Sequence, residues 1–288
     1  MVRLIPGDPA RAILGDVTTP ERIAEVRQVL GLDRPWLEQL VSYCVGLAIG
    51  DLGRSFALFN RPVGEIIAER LGSSLRLAAS ALAMVVLTSV PLGLLLGAYT
   101  KEGRHRRFEV AFTAASSVAG AIPEFLMATF LVFVFAVWLR ILPVAGGLGV
   151  EGLILPVLAV SLRPIVLVAR IVRVETLNVL ATDYVRTARS KQLPSYLIYG
   201  RHVLPNVVTA ALTIGGLVFA EIVGGAVIVE NIFNMPGLGT ILVAAIRNHD
   251  YPLIQGSVLV LGCAVVLANA LADISVAVIN PRSLINRT

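Results

Sequence analysis

Long apolar runs alternate with short polar stretches along most of this chain. Five windows of about twenty residues or more carry few charges, the length that an α-helix needs to cross ~30 Å of hydrocarbon. None of them shows the period-two alternation of barrel strands, so we predict helices, which satisfy their backbone hydrogen bonds internally. The predicted spans are 77–98, 110–138, 153–172, 207–229 and 256–279.

The composition agrees with this pattern. Of 288 residues 56% are hydrophobic and 15% charged, and the mean hydropathy is +0.82, outside the range of an average soluble domain. We therefore expect an all-α polytopic membrane protein. A net charge of +5 would suggest nucleic acid as a partner of a soluble protein. Here the basic residues cluster in every second connection, as cytoplasmic loops require, so we expect a lipid bilayer and no nucleic acid. The clusters are Lys101, Arg104, Arg106 and Arg107; Arg186, Arg189, Lys191 and Arg201; and Arg282 and Arg287.

The loop charges also predict the organisation of the chain. Connections 143–151 and 230–255 lie outside the cell, as does an extracytoplasmic helical cap region, 1–72. Within that region Thr19-Pro20-Glu21 predicts a helix start and Gly31 its end, while Asp33 to Pro35 and Gly50 bracket a second helix. Residues 73–280 form the membrane domain and 281–288 a cytoplasmic tail.

The start of the chain conflicts with this orientation, because no secretory signal precedes the outer region. We expect a sixth, N-terminal transmembrane helix, ending near Leu4-Ile5, to be missing from this sequence. The alternative is an N-terminal segment that stays in the cytoplasm, which would place the arginine-rich loops outside.

The connection 174–206 is basic but keeps a helical apolar period. Pro194 predicts the start of a second short helix and Pro205 that of the next span, giving a helix-turn-helix at the cytoplasmic membrane surface. It is either an interfacial helix on lipid headgroups or a docking element for a cytoplasmic partner, which the small Thr187 and Ala188 favour. Periodicity alone does not decide between the two. The apolar or small positions are Val174, Leu177, Leu180, Tyr184 and Ala188.

The segment DYVRTARSK and the residues after it resemble the EAA loop of ABC-importer permeases. That pattern is Glu-Ala-Ala, three residues, glycine, and Leu-Pro further on. Arg186-Thr187-Ala188 takes the Glu-Ala-Ala place, Gln192 that of the glycine, and Leu204-Pro205 the Leu-Pro. A basic first position is typical of the peptide-importing branch, whereas Gln192 is a departure. Similarity to the dipeptide/oligopeptide (peptide/nickel) permease family extends over LIPGDPA, LGLDRPWLEQL, GDLGRSF, RPVGEIIAERL, AIPEF, GGAVIVENIFNMPGLGTILVAAIRNHDYPLIQG and NPR.

This resemblance implies a MetI-like, type I importer bundle in the bacterial inner membrane. The chain would pair with a second homologous permease on two cytoplasmic ATPases, receive peptides from an extracytoplasmic binding protein, and bind no cofactor itself. ATP and Mg²⁺ would belong to the ATPases. Nickel or glutathione-like compounds are the alternative cargoes. The resemblance assigns ATPase coupling to Tyr184, Arg186, Thr187, Ala188, Arg189, Lys191, Gln192, Pro194 and Pro205.

Three ionisable residues within the predicted spans are candidates for the translocation pathway: Arg163, Glu124 and Glu221. Charges inside a membrane are costly and suggest function by default. Arg163 either faces the path and attracts peptide carboxylates, or pairs with Glu124 or Glu221 and holds the bundle together. These charges also permit a different interpretation, a secondary transporter driven by an ion gradient.

Other features predict only structure. The glycine pairs 215–216 and 224–225 are expected to allow close helix packing, Asn269 and Asp273 to form interhelical hydrogen bonds, and Cys44 and Cys263 to be packing residues. The G-x-G-x-x-G match at 147–152 is interpreted as a turn in an outer loop. No Walker A motif, metal-ligand spacing or catalytic triad occurs, so we expect a transport subunit that is not an enzyme.

Overall fold

The computed structural model describes residues 19–29, 33, 35–103, 105–143 and 149–279. In these ranges the regular structure is helical, apart from one isolated antiparallel bridge between Arg54 and Pro62. Some sequence predictions fall outside the described residues. They concern the LIPGDPA segment, Arg104, Gly31, residues 147 and 148 of the 147–152 motif, and the NPR tail with Arg282 and Arg287.

The helices of the described residues are numbered α1 to α12 in chain order. A π-helical segment, Val132–Trp138, extends α5, and another, Ile198–Val203, joins α8 to α9. The helices are α1 Pro20–Val29, α2 Trp36–Ala48, α3 Val63–Tyr99, α4 Arg106–Ala121, α5 Glu124–Leu131, α6 Val150–Leu180, α7 Asp183–Ser190, α8 Ser195–Leu197, α9 Leu204–Thr213, α10 Gly215–Ile232, α11 Leu238–Arg247 and α12 Tyr251–Ile279.

Four of these helices, α3, α6, α10 and α12, are long and apolar enough to cross a membrane, and α4 with α5 and its π-helical extension makes a fifth if the bent pair is counted as one span. The predicted all-α, multi-span fold is thereby confirmed. The span predicted at 110–138 is two helices bent by 94°, because Pro123 lacks an N–H and holds Ile122 in an extended conformation. The span predicted at 207–229 is likewise interrupted, at Ile214.

Several local predictions meet the structure directly. Helix α1 begins at Pro20, and α2 ends before Gly50, which has a φ of +81°, as the turn residues predict. The G-x-G-x-x-G interpretation was wrong in part, since Val150 already begins α6. Cys44 and Cys263 are exposed, so their prediction as packing residues was also wrong.

The chain divides into two compact units, and the first comprises 1–75 and 235–262. Its core joins α3, through Val63, Ile66 and Ile67, to α11 and α12. The fully buried Asp250 accepts hydrogen bonds from the hydroxyl of Ser55 and from the backbone N–H of Ala57, at 3.1 Å. These contacts fasten the loop before α3 to the start of α12.

The second unit comprises 76–234 and 263–288 and is built around α6, against which α4, α5, α9 and α10 pack. Gly93 and Gly97 bring α3 against the same helix. A Cβ at Gly93 would overlap Val172 and lie 2.7 Å from the carbonyl oxygen of Ala169. This small-x-x-x-small contact was not among the sequence predictions.

Two of the four predicted packing glycines do make close contacts. A Cβ at Gly216 would overlap the side chain of Asn269, and one at Gly225 would overlap the carboxylate of Glu124, whereas Gly215 and Gly224 face open space. The close packing predicted for these pairs is therefore confirmed for one glycine of each.

Candidate functional site

The first candidate site is the segment between α6 and α9, which the sequence predicts on the cytoplasmic side and which we call the elbow (181–206). The sequence predicted one helix running from Val174 to Ala188, and this was wrong: α6 ends at Leu180 and α7 begins at Asp183. Thr182 between them is extended, and its hydroxyl donates back to the carbonyl of Val179 at 2.6 Å. The supposed apolar stripe is therefore divided between two separate helices.

Helix α7 has an internal apolar face and an external basic face. Val185 and Ala188 are 0% and 5% exposed, whereas the Arg186 side chain is 71% exposed and Tyr184 46%. The sequence had suggested that the small Ala188 offers a docking surface to a partner, but Ala188 packs inside the chain. Thr187 and Arg186 are the exposed members of the Arg-Thr-Ala triplet.

The turn after α7 shows why glycine is preferred at the position that Gln192 occupies in this chain. Gln192 has a φ of +55°, its N–H donates to the carbonyl of Arg189 at 2.8 Å, and the N–H of Leu193 donates to that of Ala188 at 3.3 Å. This is a Schellman cap, in which glycine is preferred at the left-handed position. The turn is retained despite the substitution, at a conformational cost of roughly 1 kcal/mol for a residue with a Cβ.

The return arm of the elbow starts at Pro194, as predicted from its conformational preference, and Pro194 is extended just before α8. Pro205 lies in the first turn of α9. The amide of Asn206 donates to the carbonyl of His202 at 2.8 Å and to the Tyr184 hydroxyl at 3.4 Å. The two arms of the elbow are thus hydrogen-bonded to each other, on either side of the turn.

Exposure along the elbow is uneven. Lys191 is exposed, and Arg189 and Tyr199 are partly buried. Burial raises the pKa of the Tyr199 phenol, and the nearby positive charge of Arg189 opposes that rise. The exposed part of the elbow is therefore positively charged, with Tyr184 beside it.

The intramembrane charges form a second cluster. Arg163 on α6 and Glu221 on α10 form an ion pair, with 3.0 Å between Nε and Oε1. Pairing of Arg163 with Glu221 was one of the alternatives that the sequence left open, and the structure contains this ion pair. Glu124, the first residue after the 94° bend, lies against Gly225, one helical turn beyond Glu221.

Toward its C-terminal end, helix α6 has four exposed residues on one narrow face. We call this face the arginine stripe: Arg163, Leu167, Arg170 and Val174. The spacing of four, three and four residues places them on one side of the helix. Arg170 was not among the residues predicted from the sequence, although this spacing was the available signal. Among the described residues no ion pair involves Arg170. Arg173, by contrast, is turned inward and bonded to Glu109 at 2.6 Å.

The described residues contain no group of three or more His, Cys, Asp or Glu side chains that could hold a metal ion. His105 stacks on Tyr99 with ring centroids 4.1 Å apart, and His202 lies beside Tyr184.

Comparison with known proteins points to transport. The family model described as the binding-protein-dependent transport system inner membrane component matches residues 89–284, and the model of its N-terminal region matches residues 1–96. In fold, the chain is similar to the inward-facing methionine ABC transporter MetNI, with a TM-score of 0.62 at 15% identity over 75% of this chain and 96% of the other.

Curated relatives match nearly the whole chain. A putative peptide transport system permease of Brucella suis biovar 1 is 38% identical, over 98% of this chain and 91% of its own length. A probable peptide ABC transporter permease of Sinorhizobium fredii is 34% identical with the same coverage. A glutathione transport system permease of Shigella flexneri serotype 5b is 34% identical, over 97% and 90%. The chain therefore belongs to the family of binding-protein-dependent transport system inner membrane components, the permeases of ABC importers.

Proposed function

We propose that this chain is the permease subunit of a bacterial importer for dipeptides and oligopeptides. It would form the transmembrane pathway with a second, homologous permease and receive peptides from an extracytoplasmic binding protein. Two cytoplasmic ATPases, which hold the ATP and Mg²⁺, would supply the energy. The names of the Brucella and Sinorhizobium relatives favour peptides, and the Shigella relative keeps glutathione as a second cargo of related chemistry.

The elbow is the observation that carries this proposal. Its outer face is exposed and basic, while Val185 and Ala188 on its inner face are buried in the same chain. Only residues 181 and 182 separate α7 from the long helix α6, and Asn206 hydrogen-bonds Tyr184 across the two arms. A force applied to the exposed face is therefore passed to α6 and α9, which is how ATP-driven closure would produce alternating access.

The alternative, a secondary transporter, draws on the intramembrane charges. Arg163 and Glu221 are bonded to each other, however, and an ion-coupling group needs a carboxylate that is released during the cycle. The fold and the relatives also belong to ABC importers. We therefore assign the three charges to the pathway or the bundle and the energy to ATP.

The test is a paired substitution on the exposed face of α7, Arg186→Glu with Thr187→Trp, in the complete importer. We expect the ATPase subunits to be lost on purification and ATP-dependent uptake to fall at least ~10-fold, since a charge-assisted contact and the close approach are removed together. The matched control is Arg107→Glu, a charge reversal at an exposed arginine outside the elbow. Normal ATPase capture and uptake in the paired variant would exclude the elbow as the coupling element.

A further inference from the structure

We propose that the arginine stripe of α6 lines the translocation pathway and binds the carboxylate group of the peptide as it passes. This inference rests on the proposed function and adds to it a substrate group and the residues that contact it. Four observations carry it: the exposed face of α6 between positions 163 and 174, the two arginines on that face, the ion pair that holds one of them, and the lack of such a pair at the other among the described residues.

The exposed face of α6 is narrow and specific. Through its middle the helix is enclosed by its neighbours on the other sides, with Val160, Ala169 and Val172 at 0% exposure. Arg163 and Arg170 lie two turns apart on the side that remains open, with Leu167, 45% exposed, between them. Val174, one turn beyond Arg170, is 52% exposed on the same side.

Lipid is an unsuitable neighbour for such a face. A guanidinium near the centre of a span costs on the order of 3 kcal/mol even by the lowest scales, so intramembrane arginines face protein or water. The Arg163 side chain is 50% exposed although it already pairs with Glu221. The stripe therefore requires an aqueous or protein surface opposite it, and the pathway of a permease supplies water.

The two arginines differ in how far a neighbouring carboxylate neutralises their positive charge. The contact with Glu221 uses one of the five N–H donors of Arg163, which fixes the guanidinium and offsets part of its charge. Arg170 lies about 10.5 Å further along the helix axis and has no ion-pair partner among the described residues. By the charge rule for loops, α6 runs from the outer side to the cytoplasmic elbow, so the less neutralised arginine is nearer the cytoplasm.

This arrangement fits the carboxylate that every unmodified peptide carries at its C-terminus. A guanidinium binds a carboxylate through two parallel hydrogen bonds, and a carboxylate held at Arg163 would meet a stronger positive site two turns closer to the cytoplasm. Neither site is a closed pocket, so binding stays weak enough for release. A cationic cargo would be repelled by the same face.

The first test measures uptake of tri-alanine and of tri-alanine C-terminal amide by the complete importer in proteoliposomes. We expect Arg170→Gln to lower uptake of the free acid ~10-fold at limiting peptide concentration, the value of one charge-assisted contact. Uptake of the amide should change less than about twofold. The binding protein is the same in every sample, so a change in the acid-to-amide ratio belongs to the permease. An Arg107→Gln control should leave the ratio unchanged.

Arg163 is tested with Glu221, because removal of either alone leaves an uncompensated charge and endangers folding. The double variant Arg163→Gln/Glu221→Gln should also lower the acid-to-amide ratio, while stimulation of ATP hydrolysis by the loaded binding protein is kept. An unchanged ratio in both the single and the double variant, or an equal loss for acid and amide, overturns the carboxylate role. If wild-type uptake of tri-alanine were independent of ATP, the proposed function itself would fail.

The second test asks what faces the stripe. In a background with Cys44 and Cys263 replaced by serine, Leu167→Cys should react with a membrane-impermeant thiol reagent in the assembled importer. Leu267→Cys, equally apolar and 63% exposed on α12, is the matched control and should stay unreactive in lipid. Failure of Leu167→Cys to react faster than Leu267→Cys would mean that lipid or a protein neighbour covers the stripe, and the inference would be wrong.

Discussion

Helices α6 and α12 are both long and apolar, but the bundle uses them differently. In the most apolar window of α6 56% of the residues are buried, against 6% for α12. Helix α6 carries three arginines between positions 163 and 173, whereas α12 has Asp273 as its single charge, near its end. The two helices are therefore nearly equal in hydropathy but differ in burial: α6 is largely enclosed by protein, whereas α12 presents its surface outward.

The difference shows how a membrane protein distributes charge. A helix whose surroundings are mostly protein can hold arginines if each has a partner or an aqueous outlet, as Arg173 has with Glu109 and Arg163 with Glu221. A helix that faces lipid cannot. The exposed arginines of α6 and the nearly uncharged exposed face of α12 are two results of the same rule.

The largest effect is expected where α6 is most tightly packed. Gly93→Leu would force a side chain into Val172 and the backbone of α6, so we expect a loss of 3 kcal/mol or more, since overpacking alone costs about 1–3 kcal/mol and backbone must move. Folded yield in detergent and the thermal midpoint measure it. Leu267→Ala on α12 is the control and should cost little. Comparable losses for the two would mean that α12 is packed as tightly as α6.

A second prediction places the same new charge on both helices. Leu267→Arg on α12 should lower membrane insertion and folded yield, because a guanidinium facing lipid costs about 2.5–3.5 kcal/mol. Leu167→Arg lies between two arginines that the structure already exposes and should insert nearly as well as wild type. Glycosylation-tag mapping of insertion, followed by size-exclusion yield, compares them. Equal damage at the two sites would remove the distinction between the helices.

The smallest effect concerns the elbow, to which α6 is joined and α12 is not. Gln192→Gly should stabilise the turn by roughly 0.5–1 kcal/mol, because glycine adopts the left-handed conformation without a Cβ penalty. Gln192→Val should destabilise it by a similar or larger amount. Slower hydrogen exchange across 183–193 in the glycine variant, measured by mass spectrometry, would show the effect. Identical exchange in both variants would contradict a strained Gln192.

Much of this fold follows from hydropathy and charge, because the bilayer restricts a chain to helices of nearly fixed length. The five spans, the prolines of the elbow and the close approach at Gly216 and Gly225 are all readable from residue types. Averages over some twenty residues, however, hide single residues that break a helix. Pro123 turns one apolar run into two helices at 94°, and its presence in AIPEF was the available signal.

The candidate site divides in the same way. The sequence selects Arg186, Thr187 and Gln192 through a family pattern, but only coordinates distinguish the exposed Thr187 from the buried Ala188 beside it. Arg170 and Arg173 are equally basic in the sequence. Which one turns toward Glu109 and which remains open depends on the rotation of α6 among its neighbours, a tertiary property that no local pattern contains.

The contact between Ser55 and Asp250 joins positions 195 residues apart, and this has a consequence for biosynthesis. A ribosome delivers the first of these residues to the translocon long before the second, so the early segment must wait while the intervening helices are inserted. The buried carboxylate can reach its hydroxyl partner only after α11 has emerged. Truncation before Leu238 would thus leave Val63, Ile66 and Ile67 without Leu238, Ala245 and Leu253, their late partners in the core, a form that quality-control proteases could recognise.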